Sequence, residues 1–320
     1  MTLRIQLIIG IIDNFLSLIP GNFSDGSRPE RGIGMSERAL NAVLGGMTAA
    51  GASAVLNPID TLKVRLQALD VGASRASVGA HAARIISREG LVRGLWVPGL
   101  GPNMAFLGAM SSLKFGIYAP CRDALVAATG SSGKTAATMT AAGLVAGACS
   151  NLVTAPLLLI KTRVMAGAEC GTPHTGALAE ARAIVAAGGI RALWMGWQLA
   201  VARGALISIG HMVGYDAAKT AAIRTGARDG PALHIAAAAV AGFAATALQM
   251  PADVLLTRHH GGVRPHGGLL QCAAHALRSE GPLVFYRGFG LMFARLTPMI
   301  MAGQLLHEQC RRALGLGYIS

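Results

Sequence analysis

The sequence carries little charge and few aromatic residues for its length. Of its 320 residues, 13% are charged and 5% are aromatic, whereas 52% are hydrophobic. Typical soluble domains contain about 25% charged residues. An ordinary soluble fold is therefore excluded, and the mean hydropathy of +0.50 predicts a polytopic membrane protein.

Other scarcities exclude several kinds of function. The five cysteines show no C-x-x-C spacing, so we expect neither a disulfide framework nor a zinc site. No nucleophile, base and orienting residue occur together, so we expect neither an enzyme nor a cofactor. The net charge of +13 lacks an arginine-rich tract, so nucleic acid is not an expected partner. His259 and His260 have no acidic companion and are interpreted as solvated loop residues.

A ten-residue stretch that begins at Pro58 recurs twice in altered form. Its counterparts begin at Pro156 and Pro251, so the three copies start 98 and 95 residues apart. A fixed period of this length indicates three copies of one structural unit. An aromatic residue and then a glycine follow each copy: Trp96 and Gly99, Trp194 and Gly196, and Tyr286 and Gly288.

Six long, weakly charged segments lie within the repeats. At about 1.5 Å per residue, each is long enough to cross a hydrocarbon core of about 30 Å. Six spans in three pairs place both termini on one side. Three polar segments with helical spacing lie between the paired spans and predict amphipathic helices at the membrane surface: Ser77–Arg88, Thr175–Ala186 and Gly268–Ser279.

The proline segments resemble the Pro-x-[Asp/Glu]-x-x-[Lys/Arg] signature of the mitochondrial carrier family (solute carrier family 25). The resemblance implies an all-α membrane protein of six tilted transmembrane helices in three pseudo-threefold repeats, with three short amphipathic matrix helices. It gives an N-terminal extension at residues 1–35 and carrier repeats at 36–130, 131–226 and 227–314.

In that family the acid of one proline helix pairs with the base of the next and closes the cavity on the matrix side. Here the second copy lacks its acid and the third lacks its base. Both departures fall on the same pair, which favours a working gate. The resemblance implies a matrix gate of Asp60 with Lys161, Asp253 with Lys63, Leu158 with Leu256, and Gln67.

The opposite gate of the family lies at the ends of the even-numbered helices and follows the pattern [Phe/Tyr]-[Asp/Glu]-x-x-[Lys/Arg]. This chain matches it in part. The implied cytoplasmic gate pairs Asp216 with Arg311 and Glu308 with Arg122, and leaves Lys219 without a partner.

The family places its substrate contacts seven residues after the glycine of each even-numbered helix. These positions hold Phe106, Arg203 and Arg295, and Lys114 and His211 lie two turns further along the same helix faces. No acid is expected at the depth of the arginines, because the odd-numbered spans are uncharged there. Such a set of side chains favours an anionic substrate.

The stretch from Ser112 to Tyr118 resembles the oxoglutarate, dicarboxylate, citrate and uncoupling branch of the family. We therefore expect exchange of di- or tricarboxylates across the mitochondrial inner membrane by a monomeric carrier, with cardiolipin bound at the starts of the matrix helices. Two alternatives stay open. One is a carrier-like receptor or scaffold that does not transport, and the other is a carrier for another solute or organelle.

Overall fold

The chain folds into long helices joined by shorter ones. The computed structural model describes residues 37–68, 77–129, 136–167, 176–224, 231–261, 268–296 and 299. Every regular element in these residues is helical, which confirms the all-α prediction. In chain order they are α1 (Glu37–Ala68), α2 (Val78–Glu89), α3 (Leu100–Thr129), α4 (Ala136–Ala166), α5 (Ala177–Gly188), α6 (Trp197–Arg224), α7 (Pro231–Gly261), α8 (Leu269–Glu280) and the start of α9 (289–296).

Several of these helices are suited to crossing a membrane. In the described residues, four helical runs are both long and apolar enough: Ala39–Ala68, Thr138–Ala166, Ile190–Arg224 and Ala236–Gly261. Helix α3 has 30 residues, which at about 1.5 Å each is also long enough. The three short helices α2, α5 and α8 have 12 residues each and connect the long ones within a repeat.

The proline-bearing helices run well beyond their prolines. Pro58, Pro156 and Pro251 lie inside α1, α4 and α7, and each helix continues for about ten further residues. A proline inside a helix removes one backbone hydrogen bond. The turns that follow are nevertheless helical, because their polar side chains are buried against neighbouring helices and paired there.

This helical extension changes the interpretation of the two adjacent histidines. His259 and His260 belong to the last turn of α7, so placing them in a solvated loop is wrong. His260 is 1% exposed, and its Nε2 lies 3.0 Å from the carbonyl oxygen of Met195. Its own carbonyl accepts a hydrogen bond from Nε of Arg163. His260 therefore joins the ends of α4 and α7 to the turn before α6.

An arginine–glutamate pair connects each of the short helices α2, α5 and α8, here called the surface helices, to the proline-bearing helix before it (α1, α4 or α7, the proline helices). In the first repeat, both terminal nitrogens of Arg65 donate to the Glu89 carboxylate at 2.9 Å. Arg258 holds Glu280 by two hydrogen bonds in the third repeat. Bidentate pairs of this kind fix orientation as well as charge. Both glutamates stand at the last residue of their surface helix.

The middle repeat makes the same connection with a different acid. Gly188 occupies the last position of α5, where the other repeats have glutamate. Arg163 contacts Glu180 instead, at 3.3 Å, from the first turn of α5. The acid has moved along the helix while the arginine has kept its place, seven residues after the proline.

Glycines set the closest approach between long helices. A Cβ added at Gly210 in α6 would lie 2.5 Å from Cα of Ala245 in α7. A Cβ added at Gly46 in α1 would lie 2.9 Å from the carbonyl oxygen of Gly108 in α3. Small residues allow this proximity where no hydrophobic effect drives helix association. Gly46 and Gly210 therefore mark places where two long helices pack closely.

We predict that Gly210→Ala lowers the melting temperature of the purified protein in detergent. The new methyl group meets backbone atoms, which cannot rotate away, so the cost is that of overpacking, about 1–3 kcal/mol. The matched control is Gly147→Ala in α4, whose added Cβ would meet nothing within 4 Å. Because alanine favours a helix over glycine, that control should gain roughly 0.5–1 kcal/mol. Equal melting temperatures for the two variants would contradict this view of the α6–α7 contact.

Candidate functional site

Two buried ion pairs join the proline helices. The Lys161 ammonium lies 2.7 Å from Oδ2 of Asp60, which connects α4 with α1. The Lys63 ammonium lies 2.7 Å from Oδ2 of Asp253, which connects α1 with α7. All four residues are at most 5% exposed. The structure therefore brings together the two charged pairs that the resemblance implies for the matrix gate.

A glutamine braces one of these pairs. Nε2 of Gln67 donates to Oδ2 of Asp253 at 3.1 Å, and the hydroxyl of Thr257 donates to Oε1 of Gln67 at 3.0 Å. The amide thus holds the Asp253 carboxylate in place for Lys63. In the second repeat, Met165 stands nine residues after the proline, where Gln67 stands in the first.

The two arginines of the expected substrate site contact the gate aspartates. Nη1 of Arg203 lies 3.3 Å from Oδ1 of Asp253, and Nη2 of Arg295 lies 3.1 Å from Oδ2 of Asp60. The expectation that no acid lies at the depth of the arginines is wrong. Counting residues along separate spans placed the aspartates too far away, because it took no account of how α6 and α9 pack beside the ends of α7 and α1.

Together these contacts form two triads in which a carboxylate lies between two cations. We name the six residues the charged layer: Lys161–Asp60–Arg295 and Lys63–Asp253–Arg203. Four cations share two carboxylates, so the charged layer has a net charge of +2. Charges buried in a membrane protein are costly unless they are paired, and here each triad retains one positive charge in excess.

The third pair of the expected matrix gate is apolar. Leu158 and Leu256 are 4% and 3% exposed, and they lie in one buried cluster with Phe106, Leu107 and Ala200. Phe106 is 2% exposed, which differs from its expected place in the cavity lining. Its ring packs inside this cluster because the neighbouring side chains are apolar, and its centroid lies 5.5 Å from the Lys161 ammonium.

Lys114 and His211 lie apart from the charged layer. Each is eight residues beyond the seventh position of its helix, which corresponds to about 12 Å along the axis. Lys114 is exposed and His211 is half-buried. They are not part of the ion pairs described above, so any contact with a substrate would occur at a different depth from the arginines.

The expected cytoplasmic gate is described only in part. The Asp216 side chain, Glu308 and Arg311 lie outside the described residues. The Arg122 guanidinium bonds the carboxylate of Asp123, its neighbour in α3, at 2.9 Å. Lys219 does have an interaction partner, so the expectation that it lacks one is wrong.

We predict that Asp60→Asn destabilises the protein, because it leaves both Lys161 and Arg295 without a carboxylate. Breaking a buried pair in this way costs about 3–5 kcal/mol. Adding Lys161→Met should recover only part of the loss, and adding Arg295→Met as well should recover more. The measurement is the melting temperature of each variant. Full recovery by Lys161→Met alone would show that Arg295 does not depend on Asp60.

The control for that series is Asp123→Asn. Asp123 forms a surface pair with Arg122, and its side chain is 45% exposed. Exposed pairs are worth about 0–1 kcal/mol, so the melting temperature should change little. This control separates the loss of a buried carboxylate from the loss of any carboxylate.

Comparisons with known proteins identify the family of the chain. The family model described as mitochondrial carrier protein matches residues 36–128, 132–225 and 228–317. Mitochondrial uncoupling protein 1 of Arabidopsis thaliana is 33% identical over 80% of this chain and 87% of its own length. The mitochondrial substrate carrier family protein ucpB of Dictyostelium discoideum is 28% identical, over 87% and 96%. Mitochondrial brown fat uncoupling protein 1 of the dog, Canis lupus familiaris, is 29% identical, over 83% and 90%. The chain therefore belongs to the mitochondrial carrier family of transporters and is a multi-pass protein of the mitochondrial inner membrane.

Proposed function

We propose that this carrier exchanges small anionic metabolites, namely di- or tricarboxylates such as oxoglutarate, malate or citrate. The observation that carries the proposal is the net charge of +2 in the charged layer. A buried positive excess attracts an anion and repels a cation. Carboxylates suit it best, because an arginine can hold each one through two parallel hydrogen bonds.

The state of the two arginines supports the same substrate class. Each already contacts a carboxylate that a lysine has neutralised, so each is available to a second anion. In the described part of the chain, Nε of Arg203 has no hydrogen-bond partner although it is buried. An unused donor at this depth is costly, and a bound carboxylate would satisfy it.

These contacts suggest how binding would be coupled to transport. In the described conformation, Asp60 and Asp253 hold α1 to α4 and to α7. A substrate carboxylate that takes Arg203 or Arg295 competes directly with these aspartates. Removing an arginine from its triad weakens the cluster that closes the matrix side, so an anion would favour opening where an empty site would not.

The lysine and histidine two turns away fit an entry route for the same anion. Lys114 is exposed and belongs to none of the ion pairs described above. His211 stands at the corresponding position of α6 and can donate a hydrogen bond to an anion. We therefore place these two residues on the path to the charged layer, and we assign the cytoplasmic gate to Asp216, Arg311, Glu308 and Arg122.

A second candidate is an uncoupling function. The names of two relatives favour it, because each is called an uncoupling protein and is 29–33% identical to this chain over most of its length. Exchange and uncoupling can be measured on the same vesicles. Proton leak without carboxylate uptake would select this second function.

We predict that Arg203→Ala and Arg295→Ala nearly abolish carboxylate exchange. Loss of an anchoring charged hydrogen bond costs about 2–5 kcal/mol, or at least tenfold in affinity. Each variant should still fold, because the lysine of its triad continues to neutralise the aspartate. The measurement is uptake of labelled oxoglutarate, malate and citrate by proteoliposomes at matched protein content.

The matched control is Arg84→Ala, which removes an exposed arginine from the surface helix α2. It should exchange carboxylates at the wild-type rate. Arg203→Lys keeps the charge but not the two-pronged geometry, and an intermediate rate is expected for it. Near wild-type exchange by either alanine variant would remove the charged layer as the binding site.

A further inference from the structure

The two charged triads follow one rule of the pseudo-threefold architecture. Arg203 stands seven residues after Gly196 and contacts Asp253, two residues after the proline of the following repeat. Arg295 stands seven residues after Gly288 and contacts Asp60, in the same position of the first repeat. Each even-numbered helix thus reaches the acidic position of the next repeat, in cyclic order.

The rule assigns a third triad to residues that have no charge. Phe106 stands seven residues after Gly99, and the acidic position of the next repeat is Leu158. The lysine position that pairs with residue 158 is Leu256. These three residues lie in one buried cluster, at 2%, 4% and 3% exposure. We name Phe106, Leu158 and Leu256 the apolar triad.

All three members of the apolar triad have lost their charge together, and electrostatics explains why. A lone aspartate at 158 would have no cation, and a lone lysine at 256 or arginine at 106 would have no carboxylate. A buried charge without a partner is strongly destabilising. Positions 158 and 256 are therefore stable when both are charged or both are apolar, and an arginine at 106 needs an aspartate at 158. The Lys161 ammonium, 5.5 Å from the Phe106 ring, joins the apolar triad to its charged neighbour.

We propose that the apolar triad acts as one specificity-determining unit, which limits the charged layer to two anion-binding positions and favours substrates with two anionic groups over those with three. This inference rests on the proposed function. Each charged triad contributes one excess positive charge and the apolar triad contributes none, so a dianion neutralises the layer. A third carboxylate would find no cation at the apolar triad to offset the loss of its hydration.

Rebuilding the third ionic triad tests the proposal. The rebuilt variant carries Phe106→Arg, Leu158→Asp and Leu256→Lys, which raises the net charge of the layer by one. We expect the ratio of citrate uptake to malate uptake in proteoliposomes to rise by at least about tenfold over wild type, the usual size of a charged hydrogen-bond effect. Malate uptake by the single variant Leu158→Asp should be at least about tenfold lower than that of the wild type, because the variant buries an unpaired carboxylate.

The control variant carries the same charges with one of them displaced. It combines Phe106→Arg and Leu256→Lys with Leu159→Asp, next to the triad position. Leu159 is also fully buried but lies outside the cluster of Phe106 and Leu256. This control should remain as impaired as Leu158→Asp. Equal uptake by the control and the rebuilt variant, or a rebuilt variant with the wild-type citrate-to-malate ratio, would overturn the proposal.

Melting temperatures separate failure of this inference from failure of the proposed function. If wild-type protein exchanges no carboxylate, the proposed function fails and the substrate preference falls with it. The melting temperatures can still show whether the three residues form one structural unit. The rebuilt variant should then melt well above Leu158→Asp, and the control variant should not. No difference between the rebuilt and control variants would refute the unit.

If the rebuilt variant does not fold, the opposite change, which makes one of the charged triads apolar, tests the proposal. Arg203→Phe, Asp253→Leu and Lys63→Leu together make a second triad apolar without leaving any charge of that triad unpaired. The net charge of the layer then falls to about one, so pyruvate, a monoanion, should gain at least about tenfold over malate in relative uptake. An unchanged pyruvate-to-malate ratio in this folded variant would overturn the proposal.

Discussion

A carboxylate that must serve two cations is the constraint on which the matrix end of the carrier depends. Asp60 and Asp253 lie where helices from three different repeats converge, and each is buried between a lysine and an arginine. In a medium of low polarity, such charges are stable only when they are paired with opposite charges. Helix packing and the excess positive charge of this region are therefore properties of the same six side chains, and a change that alters one must alter the other.

The three repeats share the same helical connections but differ in the residues of their interior triads. All three keep an arginine seven residues after the proline and an acid on the following surface helix, although the middle repeat uses Glu180 where the others use a glutamate at the helix end. The connection that maintains the fold has survived a change of acid. The interior triads have diverged much further, since one of the three is wholly apolar. In this chain the peripheral connection is therefore present in all three repeats, while the interior triads are of two kinds, two ionic and one apolar.

The repeat period of the sequence predicted most of the fold, and the family resemblance predicted part of the site. Three proline segments at a regular spacing predicted the helical pairs, and the pairing order implied by the family resemblance predicted the contacts of Lys161 and Lys63. The arginine contacts were missed, because depth was judged along each span and not between tilted helices. The last turn of α7 was missed as well, because buried pairing extends the helix past the point where its apolar residues end, and His260 was misplaced as a result. The simultaneous loss of charge at positions 106, 158 and 256 was visible in the sequence, but only the packing shows that the three side chains belong together.

The net charge of the charged layer also determines how the carrier responds to the electric field across its membrane. One elementary charge moved through 100 mV changes the free energy by about 2.3 kcal/mol. An empty layer with two positive charges experiences part of this field when it changes its exposure from one side to the other, whereas, on the proposed function, a layer occupied by a dianion is close to neutral. The loaded transition is then nearly independent of voltage and the empty one is opposed in one direction. On the proposed function, the membrane potential would therefore act mainly on the reorientation of the empty carrier.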